Sequence, residues 1–188
     1  MLEEQVIGRR QFSNKVCVSD PSYLRGTWCG EYDLEIKEGS YKGHAIVGEC
    51  EDWGRRVWRL TTVHEDEKVT EWKYYTNLGV DAAMMSIICN KHYDTERHEA
   101  LSDYLSDAGH TENGFYSNSG IGDGTYTLFC GHNDKDEIVA LSVVFLYPYG
   151  VEESLADEDG MYIFDEETVE TLSKYAHCSG EQYLPTKN

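Results

Sequence analysis

Proline is scarce in this 188-residue chain, with only three residues, so no proline-rich linker divides it. No stretch approaches the roughly 20 consecutive apolar residues that a membrane-spanning helix needs. The opening "MLEEQVIGRRQF" has no continuous apolar run and does not read as a secretory signal. No CxxC pair occurs among the six cysteines at 17, 29, 50, 89, 130 and 178, which argues against the common zinc and redox modules. Several of these cysteines sit inside apolar runs ("KVCVS", "TLFCG"). Reduced, unpaired thiols in the cytosol are therefore expected. GxSxG, HExxH and the Walker lysine are all missing, so no familiar nucleophile, zinc or nucleotide signature marks an active site. No catalytic residue is assigned, and neither a cofactor nor a metal is expected.

Positive charge is also short. Sixteen Lys and Arg face 35 Asp and Glu, a formal net charge of −19. Phosphate and anionic lipid are repelled by such a field, so direct nucleic-acid or membrane binding is disfavoured. The imbalance is concentrated. Residues 134–170 hold twelve acids against one base, Lys135. Glu152, Glu153, Asp157, Glu158 and Asp159 form its densest part and are the candidate partner-binding surface.

Apolar residues make up 40% of the chain, enough for a core, and fourteen tyrosines add large side chains to cover strand faces. "NKVCVSDPSY" reads as a strand closed by a turn at Asp20-Pro21, and "TWCGEYDLEIKEGS" as a second strand. "HAIVGEC" and "RRVWRLTTVH" form a hairpin around "EDWG", with Val57 and Arg59 expected on one face and Trp58 and Leu60 on the other. "DTERHEALSDYLSDAG" places Leu101, Tyr104, Leu105 and Ala108 at helical spacing, predicting a helix near 95–108 capped by Asp94 or Thr95. "TYTLFCG" and "IVALSVVFLY" flank the clearest hairpin. The second arm is apolar on both faces, as a central strand should be. "DEETVETLSKYAHC" predicts a short closing helix with acids in its first turn. The pattern predicts an α+β fold, mainly antiparallel β-sheet, sandwich-like or strongly twisted, with one or two flanking helices. Residues 1–150 form one mainly-β domain, and 151–188 an acidic loop and helix packed on or appended to it.

The stretch "SGIGDGTY" sets Gly120, Gly122 and Gly124 around Asp123. A dinucleotide fingerprint needs a helix after its last glycine, and here a strand follows, so neither known phosphate-loop class fits. Positive φ at the glycines and an Asx turn at Asp123 explain the stretch as a tight turn. Asp20, Asp81 and Asp123 would suit a magnesium or an acid/base pair if they converged at one end of the sheet. Separate Asx turns explain each with less assumption, so a shared metal site is not expected. "CNKHYDTERHE" gathers Cys89, His92 and His98 at a spacing that matches no zinc module. In "LADEDGMYIFDEE", Asp157, Asp159 and Glu166 fall on calcium-loop positions, but Leu155 takes the first ligand position.

"VSDPSY", "GTWCG", "GVDA" and "GIGDGTYTLFCGHNDKDEIVALSVVF" occur in that order. The arrangement resembles small uncharacterised proteins of bacteriophages and Gram-positive prophages, with an SDP turn and a GxGDG loop before the C-terminal β-hairpin. The resemblance spans about residues 15–147 as an ordered set of weak motifs. It departs at "GVDAAMM", where Ala83 stands in place of the glycine expected after the small residue.

Charge and resemblance together imply a non-enzymatic protein of the host bacterial cytosol. Its acidic face would mimic nucleic acid and occupy a basic host protein, such as a nucleic-acid enzyme of a defence system. One alternative is a small-molecule or nucleotide-binding protein, using Asp20, Asp81, Gly122, Asp123, Gly124 and Tyr126 with Tyr116 nearby. A metal-assisted hydrolase built on the loop aspartates is the other.

Overall fold

The computed structural model describes residues 2–27, 30–148, 166–177 and 179. Among the described residues, eleven strands form two antiparallel sheets. The first holds β1 (Leu2–Phe12), β4 (Gly39–Cys50), β5 (Gly54–His64), β11 (Ile138–Val144), β10 (Gly124–His132) and β6 (Glu71–Val80), in that spatial order. The second runs β3 (Gly30–Glu35), β2 (Lys15–Ser19), β7 (Met84–Cys89), β9 (Gly114–Asn118) and β8 (Ala108–His110). Their facing sides share one core. Phe12, Tyr41, Leu60, Leu128 and Val143 of the first sheet cluster with Val16, Val18, Ile87 and Phe115 of the second. The fold is the expected mainly-β, sandwich-like α+β arrangement, open at its edges, and among the described residues it has two short α-helices: α1 (Tyr93–Ser102) and α2 (Glu166–Ser173).

β11 is apolar on both faces because both are covered. Val143 pairs with Leu60 on the core side. Ser142 and Val144 share the opposite side with Thr61 and Arg59, and there Arg59 Nη1 donates to the Tyr175 carbonyl at 2.7 Å. Trp72 stacks on His177 at 6.0 Å between ring centroids, and Tyr147 meets Tyr175 edge to face at 5.6 Å. The closing helix is thus packed on the first sheet.

Two details differ from the sequence pattern. Ile46 pairs with Arg59 and Val47 with Val57, so Trp58 is an extra residue in a β-bulge. The bulge breaks the two-residue alternation. Val57 joins Leu60 on one face, and Arg59 turns to the other. α1 is also shorter than predicted and buries a different side. Its buried residues are Tyr93, Glu96, Arg97 and Ala100, at the i, i+3, i+4, i+7 spacing of one helical face. Tyr104 and Leu105 lie beyond it and are exposed, while Ala108 starts β8. Neither Asp94 nor Thr95 caps the helix; His92 holds the cap position without a side-chain bond.

Polar bonds explain why α1 turns charged residues inward. Glu96 accepts from Thr111 Oγ1 at 2.5 Å, Asn113 N at 2.9 Å and Asn113 Nδ2 at 2.5 Å, fixing the β8–β9 turn. Arg97 Nη1 donates to the carbonyls of Pro21 and Ser22 at 3.1 and 3.3 Å. Tyr93 donates to the Tyr23 carbonyl at 2.8 Å. The helix is a polar strut between two turns as much as an apolar plug.

Cys17, Cys89 and Cys130 are buried free thiols. Burial pushes Cys17 and Cys130 up to about 12, far from the reactive thiolate at neutral pH. A disulfide reagent at pH 8 is therefore expected to leave both thiols unmodified while the protein stays folded. Cys17 and Cys130 should react only as fast as the protein opens. Site-resolved mass spectrometry checks this, and labelling of Cys17 or Cys130 as fast in the folded protein as in urea contradicts it.

Candidate functional site

Three loops meet at one end of the sandwich: the turn after β2, the β6–β7 turn at 81–83, and the glycine loop at 119–123. Asp20 is fully buried among them. Its Oδ1 accepts from Ser22 N at 2.8 Å, the local Asx turn that the sequence predicts. Its Oδ2 does something else, accepting from the amides of Asp81 and Ala82, both at 2.7 Å. Asp123 also reaches across rather than locally, with Oδ1 accepting from Ala83 N at 3.1 Å. Every amide of the 81–83 turn therefore points at a carboxylate from another loop. Ala83 has φ 54°, and a left-handed residue in a tight turn brings successive N–H groups together into an anion-binding concavity. Here the protein's own carboxylates fill it.

The three aspartates converge, but Asp20 and Asp123 do so as acceptors for backbone amides. Asp81 Oδ2 takes the Tyr23 hydroxyl at 3.2 Å. Among the described residues no group of three or more His, Cys, Asp or Glu side chains is placed to hold a metal ion. Cys89 is buried against Ser13 Oγ at 2.9 Å, while His98 is exposed on α1. Glu152, Glu153, Asp157, Glu158 and Asp159 lie outside the described residues, as does most of the calcium-like stretch.

The glycine loop is braced from inside. Gly120 and Gly122 have φ of 45° and 119°, and Gly122 N donates to the Ser119 carbonyl at 2.7 Å. The Tyr126 hydroxyl donates to the carbonyls of Gly122 and Ser119 at 2.7 and 3.2 Å, and its ring packs edge to face on Phe145. Tyr126 is thus a support beneath the loop, and Gly124 opens β10 opposite Val80. Ser119 N donates to the Ala83 carbonyl at 3.0 Å, joining this loop to the β6–β7 turn.

Above the joined loops lies a cleft of about 270 Å³. Ser119, Gly120, Ile121 and Gly122 make one wall with Ala82, Ala83 and Met84; Arg55, Arg56, Tyr104, Asp107 and Asn118 complete it. Of the six candidate ligand-binding residues read from the sequence, Gly122 alone lines this cleft. The arginines, Tyr104 and Asn118 come from separate segments, and no local motif joins them. The available signal was the pair "RR" after the "EDWG" turn in a chain poor in bases.

The two arginines differ. Arg55 Nε donates to Asp107 at 2.8 Å and its Nη2 to Glu3 at 2.6 Å. That bond, with a second from Gln5, holds the Glu3 carboxyl below the usual carboxylate range. Arg56 makes one bond, from Nη1 to the neighbouring Arg55 carbonyl at 2.7 Å, and pairs with no carboxylate among the described residues. Within the same set, the amides of Gly120 and Ile121 and the Asn118 carboxamide have no hydrogen-bond partner.

Comparison of the chain with protein-family profiles, with curated proteins and with solved structures returns no match.

Two outcomes follow from the knot of loops. Asp20→Ala strands three amide donors beneath the surface, and buried unsatisfied groups cost about 1–3 kcal/mol each. Partial access of water to the vacated space sets the expected loss at about 3–5 kcal/mol in urea unfolding; a loss below about 1 kcal/mol contradicts the role given to this carboxylate. Ala83→Gly removes a left-handed alanine that costs about 1–2 kcal/mol, against a gain in unfolded-chain entropy of about half that. The variant should be more stable by about 0.5–1 kcal/mol, and a lowered unfolding midpoint counts against this reading.

Proposed function

We propose that this chain is a non-catalytic binding protein that captures a small anionic molecule in the cleft between the glycine loop and Arg55–Arg56. The observation that carries this reading is the state of Arg56. The other arginines have structural work: Arg9 pairs with Glu65, Arg10 bonds the Thr111 carbonyl, and Arg25 pairs with Asp33. Arg55, Arg59 and Arg97 tie distant segments together. Among the described residues Arg56 has no such tie, and it stands at a cleft where the amides of Gly120 and Ile121 have no partner in the same set. Guanidinium and converging N–H groups are the two standard means of holding phosphate or carboxylate. Gly122, where a side chain would meet only Ala83 at 3.8 Å, lets a ligand approach the loop backbone closely. Ser119, the hydroxyl nearest the loop, is committed to the Gly122 carbonyl at 2.9 Å, which supports binding over catalysis.

Inorganic phosphate is the probe. In an NMR titration, the amides of Gly120, Ile121 and Gly122 should shift together. Arg56→Glu should weaken binding about 10–100-fold, the worth of one charge-assisted hydrogen bond. Absent shifts at these amides, or equal binding by the variant, overturn the reading.

The charge of the chain favours a second reading, a cytosolic phage-type inhibitor that presents the 134–170 acids to a basic nucleic-acid enzyme. Changing Asp157, Glu158 and Asp159 to lysine should leave stability within about 0.5 kcal/mol. The same change should reduce low-salt capture of such enzymes from bacterial lysate at least about tenfold. Undiminished capture would make the segment a solubility feature.

A further inference from the structure

Resting on the anion-binding reading, we infer that the ligand of this cleft carries a flat heteroaromatic ring beside its phosphate, as a mononucleotide does. Tyr104 lines the cleft, yet it is 63% exposed and its side chain makes no hydrogen bond or ring contact among the described residues. Ile121 lines the same cleft and is 46% exposed. An aromatic and a branched aliphatic side chain left open at one cleft, with a guanidinium alongside, match a ligand that is apolar and planar at one end and anionic at the other. Base–aromatic stacking is tolerant of base identity, so Tyr104 supplies affinity without choosing the base.

Choice falls to Asn118. A carboxamide offers a donor and an acceptor side by side, the arrangement that reads an adenine edge with two hydrogen bonds. The Asn118 carboxamide also lines the cleft and has no partner of its own among the described residues. Arg56 then takes the phosphate with its planar fork. The volume of about 270 Å³ lies just under the usual range of small-ligand pockets, about 300–1,000 Å³, which suits one nucleotide.

The test uses the full chain and three probes by calorimetry: inorganic phosphate, ribose 5-phosphate and AMP. AMP should bind at least about tenfold more tightly than ribose 5-phosphate, the contribution of one stacked base. Tyr104→Ala should remove that advantage and leave phosphate binding unchanged, while Tyr104→Phe keeps it. Asn118→Ala should weaken AMP several-fold and spare ribose 5-phosphate. Tyr104 is exposed, so its variants should fold, and circular dichroism confirms it. If phosphate binds through Arg56 but AMP gains nothing over ribose 5-phosphate, or Tyr104→Ala leaves AMP binding intact, the ring assignment is wrong and the anion site stands. If none of the three probes binds, both fall.

Discussion

A single buried carboxylate organises one end of this protein. Asp20 accepts three backbone N–H bonds from two segments about sixty residues apart in sequence. A carboxyl group is tolerated in a dry place only when its oxygens find donors, and here backbone amides supply them. The arrangement works in the other direction too. The 81–83 turn, with its left-handed alanine, could not bury its amides without an acceptor. Asp20 and the turn are each other's condition for being where they are. The same loop is held from behind by α1, through Tyr93 and Arg97, and the turn is held from the side by Asp123 and Ser119. The wall of the cleft is therefore set largely by Asp20, Asp123, Tyr93 and Arg97, none of which lines it.

Electrostatics at the cleft run against the character of the chain. The molecule carries −19, and most of its cations are spent on internal ties, with Lys37 bridging Glu67 and Glu137 at 2.8 Å each and Lys73 reaching Asp136 at 2.8 Å. Over distances beyond the screening length, about 8 Å at physiological ionic strength, the net charge matters little, and local groups decide what binds. Arg55 with Glu3 and Asp107 sums to −1, and Arg56 brings the local set to zero. A modest positive contribution from the loop amides then tips the balance toward an anion.

The sequence carried the sandwich class and both hairpins because alternation and turn residues are local signals. "IVALSVVFLY" announced a central strand, and it lies between β5 and β10. β1 was not legible: Leu2–Phe12 is an edge strand whose polar residues face solvent and whose register slips between Val6 and Gly8. The α1 helix was seen but turned the wrong way, since Leu101, Tyr104 and Leu105 suggested a buried stripe, whereas Glu96 and Arg97 are buried by bonds to distant backbone. Trp58 shows how one bulge residue reverses a face assignment. The glycine loop was legible as a turn, and Ala83, where the resembled pattern has glycine, was visible as a departure before its positive φ gave it meaning. The cleft itself draws on four separated segments, and only tertiary structure assembles them.

The strand order of the first sheet has a consequence for how the chain is made. β5 and β6 follow each other in sequence but do not touch; β11 and β10 stand between them. A chain emerging from the ribosome as far as residue 118 contains every strand of the second sheet. Of the first sheet it has only β1, β4 and β5 on one side and β6 on the other. Until the last hairpin arrives, the inner edges of β5 and β6 are open, and open edges of nascent sheets invite pairing with other chains. The hairpin then closes both edges in one event, and with it comes the strand that carries the glycine loop at its root. Completion of the sheet and assembly of the cleft are therefore a single late step, so a prematurely ended chain has neither.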